Sequence, residues 1–160
     1  KKSSDLFKEP YIFAIPGYSL RPLEISGAIG SVQLKKWKNN VGTRRNNAEV
    51  VKKLFKNESC TLQEELPGHE SSWYGFSFLV QNGKRDEVVS ELMSKGIQLR
   101  PIMTGNMIRQ PVMKYLGNPL LSEHYPESDI VDYDGFFLGN HPYDAEEDLT
   151  KIHKLMVPLL

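Results

Sequence analysis

The sequence predicts an α/β fold, one long helix followed by a small β-α-β-α-β-α layer. Three observations carry that expectation. Apolar residues recur at helical spacing from 22 to about 55. Two strand-like runs, 73–80 and 97–103, flank a helical stretch that ends at Gly96. Near the end, Asp144 and Glu147 form a D-x-x-E capping box ahead of Leu149, Ile152, Leu155 and Met156.

The elements follow in order. Pro22 suits the first position of a helix, where its missing N–H costs nothing. Ile25, Ile29, Val32, Trp37, Val41, Ala48, Val51 and Phe55 then make an apolar stripe. Gly27, Gly30 and Ser31 interrupt it with small residues, as where another backbone or a ligand comes close. Gly42, between Asn40 and Thr43, is the expected point of kinking or division. A helix of this length spans two structural units or packs against a partner. Residues 57–72 are polar and read as a loop, and "WYGFSFLV" at 73–80 reads as an aromatic-rich strand. Val88, Val89, Leu92 and Met93 lie on the next helix, and the strand at 97–103 runs parallel to the first if that helix is a crossover. "QPVMKYL" is a short helix, and "DIVDYDGFFLG" gives a brief helix and a strand ending at Gly139.

Composition bounds the function. Twenty basic and twenty acidic residues cancel, so bulk charge draws the chain neither to nucleic acid nor to an anionic membrane. No apolar run approaches the roughly 20 residues of a membrane span. Cys60 is the lone cysteine, which excludes an internal disulfide and fits a cytoplasmic protein. His69, His124, His141 and His153 are scattered, so no metal site is expected. The opening "KKSSDLFKEPYIFAIPGY" has no initiator Met, and Tyr11, Ile12, Phe13 and Ile15 need a surface that nothing upstream supplies. A fragment of a longer protein is expected.

Three polar clusters sit at element ends. Tyr18, Ser19 and Arg21 precede the long helix. There, a guanidinium, a hydroxyl and free backbone donors suit an anion. The plainer reading pairs Arg21 with Glu24 or another carboxylate. "RPIMTGNMIRQP" brings Arg100, Thr104, Asn106, Arg109 and Gln110 out at the end of a strand. Two arginines nine residues apart around a Gly-Asn turn suit a carboxylate or phosphate. Asn140 and His141 follow the last strand. Taken singly, Arg100 could be a surface charge, Asn106 a turn residue and His141 a satisfied side chain. No nucleophile constellation, G-x-x-x-x-G-K loop or H-E-x-x-H pair is present.

At these clusters a family resemblance emerges. "GYSLRPLEISGAIGSVQLKKW" resembles the G-Y-N-x-R-x-x-E-x-x-x-A-x-G-x-x-Q-L segment of the DegT/DnrJ/EryC1/StrS sugar aminotransferases and dehydratases. "LRPIMTGNMIRQPVMKYLG" is similar to the R-P-x-x-x-G-N-x-x-R-Q-P segment of the 3-dehydratase branch, and "GFFLGNHPYDAEEDLTKI" to the closing strand-turn-helix. The resemblance implies the C-terminal part of a fold-type I pyridoxal-phosphate enzyme. Residues 1–21 would be the tail of the large domain with the phosphate-contact turn. Residues 22–56 would be the long connecting helix, and 57–160 the small C-terminal domain.

By the same resemblance the parent acts on a nucleotide-linked 4-keto-6-deoxy sugar for surface polysaccharide, by 3-dehydration or by transamination with glutamate. Ser19 and Arg21 would contact the cofactor phosphate across a homodimer interface, with Ser19 standing where the family usually has Asn. Arg100, Asn106, Arg109 and Gln110 would face the sugar nucleotide or glutamate, with His141 near the mouth. The cofactor-bearing lysine, or the histidine that replaces it in dehydratases, would lie in the upstream domain, so the fragment alone is not expected to catalyse. The alternatives are a non-catalytic dimerisation or sugar-nucleotide-binding module and, less supported, a nucleotide- or RNA-binding domain. Against the last, Trp73, Tyr74, Phe76 and Phe78 fall on both strand faces, as a core requires.

Overall fold

The computed structural model describes residues 7–18, 20, 23–117 and 124–160. The stretch expected as one helix forms two, α1 (Glu24–Leu34) and α2 (Trp37–Leu54). They part at Lys35 and Lys36, not at Gly42. The N–H groups of Lys35 and Lys36 donate to Val32 O (3.3 Å) and Gln33 O (2.9 Å), a tightened last turn. Gly42 sits inside α2 with open space where a side chain would project. Pro22 lies outside the described residues.

Four strands follow, β1 (Cys60–Leu62), β2 (Gly75–Val80), β3 (Leu99–Arg100) and β4 (Gly135–Gly139). They form one sheet in the order β1-β2-β4-β3, and every neighbouring pair is antiparallel. The helix α3 (Arg85–Ser94) does join two strands of the same direction, since β2 and β3 both run opposite to β4. β4 stands between them, however, so the expected parallel pairing is replaced by a split β-α-β unit. Side-chain fit accounts for the insertion. Phe76 lies opposite Leu138 and Phe78 opposite Phe136, and the last two rings stack at 5.1 Å. β1 corrects the reading of 57–72 as loop throughout. Its three residues are too few to show alternation in sequence, although exposed Thr61 does separate half-buried Cys60 and Leu62.

Among the described residues three short α-helices follow, α4 (Met113–Leu116), α5 (Pro126–Asp134) and α6 (Glu146–Met156). Gly96 ends α3 as expected. Its φ of +80° lets Gly96 N–H and Ile97 N–H return to Met93 O and Leu92 O. The box before α6 closes differently. Asp144 Oδ1 accepts from Glu146 N–H at 3.1 Å, while Glu147 pairs with Lys151 one turn on.

The core gathers Ala48, Val51 and Phe55 of α2 and its end, Val88 and Leu92 of α3, and Leu149 and Met156 of α6 with Phe76, Phe78, Phe136 and Leu138 of the sheet. Trp73 is buried with them and Tyr74 is exposed. The helix α1 contributes nothing to this core: Ile25, Ile29 and Val32 all stand in the open. Among the described residues no helix is long and apolar enough to cross a membrane.

Candidate functional site

The loop between β3 and α4 holds Thr104, Asn106, Arg109 and Gln110 of the residues singled out by sequence, and α5 braces it. At Gly105, φ is +61° and an added Cβ would run into the carboxyl group of Asp132, so glycine is required twice over. Asn106 follows, almost wholly buried. Its Oδ1 accepts from Ile108 N–H (3.2 Å), capping the 3₁₀ turn Met107–Arg109, while its Nδ2 donates to Asp129 Oδ1 (2.6 Å). Arg109 Nε donates to the same oxygen at 2.7 Å, and its guanidinium lies 5.1 Å over the Tyr133 ring, with Nη1 on the Tyr133 hydroxyl.

This pairing shapes the electrostatics. The hydrogen bond from Arg109, then that from Asn106, holds the Asp129 carboxyl below the ordinary carboxylate range, and His124 adds a weaker favourable charge. In return, Asp129 raises the Arg109 guanidinium further. Nε and Nη1 of Arg109 are engaged, which leaves less than the two-pronged clamp its spacing from Arg100 invited.

Gln110 uses both ends of its amide. Its Oε1 accepts from Phe13 N–H (2.9 Å) and its Nε2 donates to Thr104 O (3.0 Å). Asn106, Arg109, Gln110 and Thr104 line one cleft of about 710 Å³, walled on the other side by the segment around Lys8, Tyr11 and Ile12.

Arg100 and His141 belong to a second cleft of about 540 Å³, at the C-terminal end of β4 beside α6. Arg100 is exposed and makes no ion pair among the described residues. His141 is exposed and its ring stacks on Tyr143 at 5.6 Å. Arg44 shares this cleft, with its guanidinium 5.6 Å over Tyr74. The five residues expected to face substrate are thus divided between two clefts. Ser19 and Arg21 lie outside the described residues, while Tyr18, beside them, is exposed.

Sequence reasoning missed Asp129 and Asn47. Asn140, by contrast, was singled out, and its amide ties β4 to α2 and to the residues before β2 through Arg44 O (2.9 Å) and Trp73 O (2.8 Å). The available signal for Asn47 was an asparagine beside Ala48 in the middle of a helix, where it is a poor helix former. Asp129 offered none, because its partners are 20 and 23 residues away.

Residues 3–157 match the DegT/DnrJ/EryC1/StrS aminotransferase family. The chain belongs to that family. A GDP-4-keto-6-deoxy-D-mannose 3-dehydratase of Yersinia pseudotuberculosis is 37% identical over 160 residues, which cover 98% of this chain and 40% of that one. The E. coli GDP-4-keto-6-deoxy-D-mannose-3-dehydratase, solved with bound hydrated PLP, is 35% identical with a TM-score of 0.69, over 96% of this chain and 40% of its own. A GDP-4-keto-6-deoxymannose-3-dehydratase solved with a trapped PLP-glutamate geminal diamine has the same identity of 35%, TM-score of 0.69 and coverage of 96% and 40%. The chain therefore spans about 40% of the length of the relatives it matches, and its fold is that of the corresponding part of these pyridoxal-phosphate enzymes.

Proposed function

We propose that this chain is the C-terminal part of a cytoplasmic, homodimeric pyridoxal-phosphate enzyme that removes the 3-hydroxyl of a nucleotide-linked 4-keto-6-deoxy sugar, with glutamate as amino donor. The observation that carries the reading is the stretch 100–111, where Asn106 and Arg109 of the R-P-x-x-x-G-N-x-x-R-Q-P pattern are pinned on Asp129 beside a cleft. The 37% identity to a 3-dehydratase favours dehydration over transamination. Residues 1–21, 22–56 and 57–160 keep the roles of large-domain tail, connector and small domain.

The donor chemistry at the mouth of α1 fits a phosphate. Leu23 stands at the N-cap, is exposed and has no side-chain acceptor of its own to offer the first-turn N–H groups. Ser19 and Arg21 would hold the cofactor phosphate there. Bound pyridoxal phosphate supplies an electron sink for loss of the 3-hydroxyl. The chain's own part is to bind and orient. Arg109 offers its guanidinium to an anionic group while Asp129 fixes its plane, and Asn106 holds the turn that presents it. Arg100 and His141 would meet another portion of the sugar nucleotide or of glutamate at the second cleft.

The test uses the native, full-length protein. Visible absorbance of bound pyridoxal phosphate, and glutamate-dependent formation of a 3-deoxy product from GDP-4-keto-6-deoxymannose, are the expected results. A native protein that takes up no pyridoxal phosphate would overturn the reading and leave the non-catalytic binding module. An aminated product that retains its 3-hydroxyl would overturn the dehydratase assignment.

A further inference from the structure

We propose that Gln110 is a positioning residue that couples the segment leading to the phosphate-side turn to the substrate-side loop. The proposal rests on the reading of Ser19 and Arg21 given above. Residues 7–13 form an arm that is fastened to the domain at three points. Phe7 is in the core, with the Arg85 guanidinium 5.5 Å over its ring. Lys8 Nζ donates to Asp132 O (2.9 Å) and to Asp132 Oδ1 (2.8 Å). Phe13 is held through its main chain: its N–H donates to Gln110 Oε1 at 2.9 Å, and its carbonyl accepts from Val112 N–H at 2.7 Å.

The third point is the one that matters for function. Phe13 is 47% exposed, so burial holds it less firmly than Phe7 and the two hydrogen bonds define its place. From there only Ala14, Ile15, Pro16 and Gly17 separate Phe13 from Tyr18, and Pro16 stiffens the path. A shift at Phe13 is therefore passed along the chain toward Tyr18 and the residues that follow it in sequence. The other end of the same amide holds Thr104 O, in the loop that presents Asn106 and Arg109. One side chain thus bridges the strand-end loop and the arm. Both ends of the amide are engaged within the protein, which fixes its plane between the arm and the loop.

The readout is the ratio of pyridoxal phosphate affinity to pyridoxal affinity in the native, full-length protein, since only the first ligand carries a phosphate. Gln110→Ala is expected to lower that ratio by about three- to tenfold, the loss of a hydrogen bond's worth of positioning. Gln110→Glu keeps an acceptor for Phe13 N–H and gives up the bond to Thr104, so it should restore most of the ratio while still raising KM for the sugar nucleotide. Arg21→Ala is measured alongside. If it lowers the ratio and Gln110→Ala does not, the coupling is wrong and the phosphate reading stands. If neither moves it, the phosphate reading falls and the coupling with it. Equal loss of both affinities in Gln110→Ala, without recovery in Gln110→Glu, would reduce Gln110 to a general structural role and overturn the proposal.

Discussion

Asn47 Nδ2 donates to Asn140 Oδ1 at 3.0 Å, and both side chains are nearly closed to solvent. The same nitrogen lies within 3.2 Å of His141 O and 2.8 Å of Tyr143 O, and Asn47 Oδ1 accepts from Ala145 N–H at 3.2 Å. One helical amide therefore satisfies the turn between β4 and α6, which carries His141 into the second cleft. Secondary structure cannot serve these groups, because the chain is reversing direction there. The polar side chain of α2 takes over that task.

Truncating this amide should be expensive. Asn47→Ala leaves the buried Ala145 N–H and Asn140 Oδ1, and the part-buried His141 and Tyr143 carbonyls, without this partner, and each unsatisfied buried group costs about 1–3 kcal/mol. A loss of about 3 kcal/mol is expected as a lower urea midpoint at unchanged slope. Asn46→Ala, at the exposed neighbouring position, should stay within about 0.5 kcal/mol of the parent. Equal midpoints for the two variants would show that the turn does not depend on Asn47.

The Asn47 network also marks where sequence reading stops. Gly96, the strand at 75–80 and the terminal helix were legible because each is written in residues close together: a positive φ after a helix, an aromatic run, an apolar period. The insertion of β4 between β2 and β3 was not, because nothing local to "GFFLG" says which strand it joins. The break at Lys35 and Lys36 carries no breaker residue, whereas Gly42 does and is tolerated within α2. At the site, Asn106, Arg109 and Gln110 were legible as a cluster by their spacing. Their partners Asp129 and Phe13 were not, since hydrogen bonds across 20 to 97 residues leave no periodicity to read.

Asp129 should make the stability of the loop dependent on acid. Its carboxyl is held below the ordinary value of 3.8, chiefly by Arg109 and next by Asn106. A carboxyl depressed on folding contributes stability at every pH above its unfolded value and loses it as pH falls through the folded one. The window therefore opens at about pH 4 and extends downward. Asp129→Asn keeps an acceptor oxygen without the charge, so its midpoint should fall less steeply than the parent's between about pH 5 and pH 2. Parallel curves for the two proteins over that range would remove Asp129 from the acid response.

Cys60 should be a slow nucleophile despite standing on the edge strand β1. Burial pushes its thiol up from 9.0 to about 11, and the charge of Glu58 adds to the effect. The thiolate is the reacting form, so two units leave about a hundredfold less of it at neutral pH than an unshifted cysteine has. Alkylation by iodoacetamide at about pH 8 should be slower than that of free cysteine by a comparable factor, and its rate should keep rising with pH until it levels off at about pH 11. Because the folded value is the raised one, stability is fully present below the unfolded value of 9.0 and declines as pH rises toward 11. Cys60→Ser, which does not titrate in this range, should flatten that alkaline decline. Alkylation of the folded protein at the rate of free cysteine at about pH 8 would mean that the β1 edge opens often enough to hydrate the thiol, and that its pairing with Val80 is not what shields it.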